Sequence, residues 1–130
     1  MIISPSDFGF HNIIKSKNNL FFFDFEYAGL DDPVKLICDF YCQPEQSLTS
    51  LQKKQFIKNL SFKKHSSNQL EFLTKIFLPF HILKWCCIML NEFKNEINNS
   101  DIKKLKLKTK IMKKQLSKAK IYFNKNFENK

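Results

Sequence analysis

Asp7-Phe8-Gly9-Phe10-His11-Asn12 and, a short way on, Asp24-Phe25-Glu26 gather three acids, a histidine and an amide into the first 26 residues of the chain. Asn12-Ile13-Ile14-Lys15 and Leu20-Phe21-Phe22-Phe23 are short β-prone runs. The polar cluster Ser16-Lys17-Asn18-Asn19 between them can turn the chain, so the pattern predicts a hairpin. Folding that hairpin returns Asp24 to the neighbourhood of Asn12, where the two side chains can share one cation. Their hard oxygens suit magnesium, which takes few protein ligands and completes its octahedron with water and phosphate.

The order D-x-x-x-x-N, hairpin, D-F-x is the order in which kinase catalytic loops present a base and two magnesium ligands. The stretch Ser4-Pro5-Ser6-Asp7-Phe8-Gly9-Phe10-His11-Asn12, followed by Asp24-Phe25-Glu26-Tyr27-Ala28-Gly29, resembles the aminoglycoside phosphotransferase and choline kinase superfamily of small-molecule kinases. A softer similarity continues through Asp32-Pro33-Val34-Lys35-Leu36-Ile37-Cys38-Asp39-Phe40 and Lys84-Trp85-Cys86-Cys87, reaching about residue 123. The resemblance implies a protein-kinase-like carboxyl-terminal lobe and ATP-dependent phosphorylation of a small-molecule hydroxyl, of the aminoglycoside, choline or sugar type. It implies Asp7 as the catalytic base and Asn12 and Asp24 as ligands of Mg2+. Glu26 is a further candidate for a second metal or a water. His11, inside the loop, is a candidate contact for substrate or phosphate, with a structural hydrogen bond as the simpler role.

Two positions depart from the family pattern. The His usual two residues before the catalytic acid is replaced by Pro5, and the Asp usual four residues after the Asp-Pro pair is replaced by Leu36. The nearest acid, Asp39, is the candidate loop anchor. Only six residues precede Asp7, so the amino-terminal nucleotide lobe is expected to be absent and a separately encoded amino-terminal lobe becomes a candidate partner. Gly9 and Gly29 are the only glycines, which excludes a P-loop or a G-x-G-x-x-G turn within this sequence.

The remainder reads as helices, giving a mostly α fold with a small β-hairpin. Residues 1–29 hold the catalytic loop, hairpin and metal motif; 30–99 are helical; 100–130 form a basic helix. Together they make one partial lobe, consistent with 130 residues and 43% hydrophobic content. Pro33 opens a first helix that Gln43-Pro44 ends, and a second runs from about Ser47 to Leu60. A third spans about Asn68 to Leu78, and Pro79 is expected to separate it from a fourth reaching Asn95. Ser100-Asp101 is read as the cap of the last, which carries Ile102, Leu105, Met112, Leu116, Ala119 and Phe123 on one stripe.

The net charge of +10 is unevenly spread. Residues 1–50 sum to −4, 51–100 to +5 and 101–130 to +9. Arg is absent, so the basic surplus lacks the bidentate fork that favours phosphate recognition, and a solvated helix face is the expected role, with nucleic acid not expected as a partner. The alternative function is a non-catalytic kinase remnant that acts as a binding module through this basic helix. Cys38 with Cys42, and Cys86 with Cys87, lack the C-x-x-C spacing of a zinc knuckle and read as reduced thiols. His65 and His81 have no partner motif and read as surface or core-edge residues. The most apolar run, Ile76 to Leu90, is interrupted by Pro79, His81 and Lys84, so no membrane span is expected and the chain is placed in the cytoplasm.

Overall fold

A computed structural model describes residues 1–44, 47–60, 62, 65–94 and 102–127, with the side chains of 102–104 excepted. The chain divides into two compact units, Met1–His81 and Ile82–Lys130.

The first unit begins with two small antiparallel sheets. Strand β1 (Ile2–Ser4) pairs with β4 (Gly29–Asp31), and β2 (Ile13–Ser16) pairs with β3 (Asn19–Phe22). The predicted hairpin is therefore present, and its register sets Ile13 opposite Phe22 and Ser16 opposite Asn19. Lys17, first of the two loop residues, takes a left-handed φ of 52°, as a tight hairpin turn demands.

Two helices and residues 67–81 of a third complete this unit, each helix started by a side chain that satisfies orphan amides. Helix α1 (Pro33–Tyr41) is capped by Asp32, whose Oδ1 accepts from Val34 N at 2.7 Å, with Pro33 preset for the first turn. Helix α2 (Ser50–Asn59) has a capping box: Gln52 N donates to Thr49 Oγ1, and Thr49 N donates to Gln52 Oε1. Ser66 and Gln69 make the same reciprocal pair ahead of α3 (Ser67–Met89). Val34, Ile37 and Cys38 from α1, Ile57 from α2 and Leu70 from α3 form the buried core, with Tyr41, Phe56, Leu60, Leu73 and Leu78 packed around it. Truncating fully buried Leu70 to Ala would cost about 2–5 kcal/mol, the usual price of lost transfer energy plus a cavity.

Helix α3 corrects the expectation of a break at Pro79, which lies inside one continuous helix. Proline removes a single intrahelical donor there, while the preceding turns are held by burial of Leu70 and Thr74. The correction reaches the membrane argument as well. Unbroken, α3 is long and apolar enough to cross a bilayer, and only 17% of its most apolar stretch is buried. Interruption by Pro79 is thus no ground for exclusion, although one such helix is weak evidence for a span.

In the second unit, a turn of 3-10 helix at Asn91–Phe93 follows the end of α3, and α4 (Ile102–Phe127) completes the chain. The proposed cap, Ser100-Asp101, lies outside the described residues. Leu105, Met112, Ala119 and Phe123 are half-buried or buried along the expected stripe, joined by Tyr122, whereas Leu116 stays exposed. Cys86 Sγ approaches Ala119 O at 4.0 Å, and Phe123 stacks on Phe127. Burial pushes the Cys86 thiol up, with the Cys87 sulfur adding to the shift, so it stays protonated.

Candidate functional site

Pairing of β1 with β4 ties together the two ends of residues 5–28, and every motif residue of the candidate loop lies within that excursion. At its start Asp7 N donates to Pro5 O at 2.8 Å across Ser6, whose φ is 65°. An i to i+2 bond over a positive φ is a tight γ-turn, a strained conformation for a residue with a Cβ. It is held from below by Ser4, fully buried, whose Oγ accepts from Ser6 N at 3.1 Å.

The acid that follows is fixed from two sides. Asn12, almost fully buried, donates its Nδ2 to the Asp7 carbonyl at 3.0 Å, which closes the loop through the 3-10 turn Phe10–Asn12. His11 Nε2 lies 3.1 Å from Asp7 Oδ2, so the histidine contacts the acid itself rather than standing alone in the loop. The side chain of Asp7 nevertheless remains about half exposed, at 47%. Its other oxygen is left for a solvent-borne group.

Beyond the hairpin, Phe23 N donates to Asn12 O at 3.1 Å, one step past the Ile13–Phe22 pair. Asp24 is therefore adjacent in the chain to the residue hydrogen-bonded to Asn12, as the sequence predicts. Asp24 itself has a left-handed φ of 62°, a conformation that Asp tolerates better than most residues. Asp24 and Glu26 are exposed and have no hydrogen bond or ion pair among the described residues. With Nδ2 of Asn12 spent on Asp7, its Oδ1 is the atom left to meet a cation. An amide oxygen and an unpaired carboxylate are donors that magnesium accepts. Among the described residues no group of three or more His, Cys, Asp or Glu side chains gathers as a metal site.

Asp39 sits at 4% exposure on α1 and reaches the loop indirectly. Lys35 Nζ contacts Asp39 Oδ2 at 3.2 Å, Asp31 Oδ2 at 2.6 Å and Ser6 Oγ at 3.2 Å. A buried acid is thereby coupled, through a lysine, to the strained residue that precedes Asp7. Partial burial pulls the Lys35 ammonium down, but the hydrogen bond to Asp31 and the charge of Asp39 outweigh it, so its pKa lies above the ordinary value. His81, half-buried at the core edge as expected, holds the other Asp39 oxygen with its Nδ1 at 3.1 Å, a contact that no motif announces.

Packing reinforces this frame. The Phe8 ring lies 5.2 Å from Phe40, 6.1 Å from Phe56 and 6.0 Å from Phe22, joining the loop to α1, α2 and the hairpin. A methyl at Gly9 would fall 2.6 Å from the Gln43 side-chain amide, which donates to Phe8 O and Asp39 O, so a larger residue there would displace that amide. Lys35, Ser6 and Gln43 escape the motif comparison. Lys35 and Asp39 do carry a signal, since their i, i+4 spacing places a base and an acid on one face of α1, and Asp31 at the end of β4 adds a second acid.

No protein-family model matches this chain, and neither a curated protein nor a solved structure is similar to it.

Proposed function

We propose that this chain is the catalytic-lobe portion of an ATP-dependent small-molecule phosphotransferase acting on an aminoglycoside-, choline- or sugar-like alcohol. One observation carries the reading: the buried Asn12 amide grips the Asp7 carbonyl above a strained turn, and the hairpin returns Asp24 to the same end of the loop. Strain held this firmly beside an exposed acid is a common mark of functional loops. In this reading the Asp7 carboxylate orients the acceptor hydroxyl and takes its proton. His11 keeps Oδ2 in place, a positioning role that the family assigns to the residue found here as Pro5. Asp39 acts through Lys35, holding the Ser6 turn and with it the direction of Asp7. Asn12 and Asp24 would hold magnesium, which supplies neutralising charge to the nucleotide phosphates, and Glu26 is placed to receive a water or second ion. Location in the cytoplasm, where ATP is available, belongs to the same proposal.

Phosphoryl transfer depends on positioning and electrostatics, so turnover requires a bound, oriented triphosphate. The 130-residue chain alone is expected to transfer no phosphate from ATP. Co-expression with the nucleotide lobe of a small-molecule kinase should give alcohol-dependent ATP consumption, which Asp7→Asn should remove while nucleotide binding persists. A reconstituted enzyme indifferent to Asp7 would overturn the assignment. A second reading, the non-catalytic remnant, draws on the exposed lysines of α4, and salt-sensitive nucleic-acid binding without any response to magnesium would favour it.

A further inference from the structure

A cavity of about 520 Å³ lies between α2 and α3, with Tyr41 of α1 on its wall, inside the first unit and lined by none of the loop residues discussed above. Its volume falls in the range of small-molecule pockets. Helical spacing builds both of its faces. Ser67, Glu71, Thr74 and Leu78 follow one another at i, i+4, i+7 and i+11 along α3, and Lys54 and Lys58 stand one turn apart on α2.

The charge in this cavity is unbalanced. Lys53, Lys54, Lys58 and Lys75 line it against a single acid, Glu71, which is already engaged by Lys75 at 3.2 Å. Lys53 lies over the Tyr41 ring at 5.3 Å from its centroid. Lys54 and Lys58 have no anionic partner among the described residues. Like charges one turn apart weakly disfavour the helix that carries them, and a bound anion would relieve that repulsion. Beneath the lysines, Tyr41, Ile57 and Leu78 provide an apolar floor. Thr74 lines the same cavity at 3% exposure, and its Oγ1 is buried without a hydrogen-bond partner among the described residues.

We infer that this cavity binds a phosphomonoester carrying an apolar body, its phosphate met by the lysines at the rim and its body resting on Tyr41, Ile57 and Leu78. Lysines act here as point charges, which suits a phosphate that need not be held in one orientation. The inference is independent of the phosphotransfer reading, since it uses neither Asp7 nor the metal motif.

Phenyl phosphate titrated into the full chain, followed by isothermal calorimetry and 31P NMR, tests it. Phenyl phosphate should bind at least roughly tenfold more tightly than inorganic phosphate, the share owed to the apolar floor. Lys54→Glu with Lys58→Glu, both on exposed side chains, should weaken binding by roughly tenfold or more, as expected when charge-assisted contacts are lost. The same double reversal at Lys113 and Lys114 on α4 should leave it unchanged. Competition by phosphatidate vesicles would place the phosphate on a lipid, and absence of competition on a soluble ester. Equal affinity for phenyl and inorganic phosphate, or equal loss from the α4 reversal, would overturn the proposal in favour of diffuse counterion attraction.

Discussion

Asp24 is where the magnesium reading is most exposed to test, because it is an acid with no partner among the described residues and follows Phe23, whose backbone amide is bonded to the Asn12 carbonyl. Millimolar magnesium or manganese should raise the melting temperature by about 1–3 °C, the shift expected when ligand concentration is near its dissociation constant. Asp24→Ala should abolish that rise, and an equal rise in both proteins would end the assignment. Lys35 makes a second prediction through its raised pKa. A group whose pKa is higher when folded contributes stability fully below its unfolded value, here 10.5, and loses it as pH climbs through the folded value. Tyr41, also raised, first by burial and then by the Glu71 charge, works in the same direction. Urea midpoints should therefore fall above about pH 10, where both groups begin to ionise differently in the two states. Lys35→Met in a Tyr41→Phe background should flatten that decline, and a decline of unchanged slope would show that neither residue causes it.

Helix α3 shows at the scale of an element how far local signals reach. A proline in a helix interior costs about 3 kcal/mol because it forfeits a hydrogen bond and crowds the preceding turn. Pro79→Ala should recover about 1–3 kcal/mol of that in chemical unfolding, with a rise in helical circular dichroism. A destabilised variant would mean that the ring itself is a needed packing group. The hairpin, α1 with its Asp32-Pro33 start, and α2 were legible because each rests on residues within a turn of one another. Pro79 misled because its local cost is offset by burial of residues such as Leu70 and Thr74, which no window of sequence displays. The loop shows the same division. Asp7, Asn12 and Asp24 could be named from order and spacing, and the hairpin register puts Asn12 and Asp24 at one end of the hairpin. The γ-turn at Ser6 and the His81 contact to Asp39 could not, since one depends on a backbone angle and the other joins residues 42 positions apart.

Taken whole, the molecule separates its charges along the chain, acidic through residue 50 and strongly basic beyond 100. If the lysines of α4 form a solvated face, duplex DNA and RNA should bind without sequence preference and lose affinity by roughly a thousandfold between 50 and 200 mM salt. Tight binding that survives about 0.3 M salt would contradict that reading, since purely phosphate-driven complexes are released by counterions. The brevity of the β1–β4 clamp has a different outcome. Three residue pairs of the β1–β4 ladder close the base of residues 5–28, and a two-stranded sheet is marginal in water. Such a clasp opens well before the helical core does, as a low-energy local unfolding unit. Backbone amides of residues 2–4 and 29–31 should then exchange with deuterium far faster than those of α1, and any ligand that grips the Asp7 loop should register first as slowed exchange at that clasp.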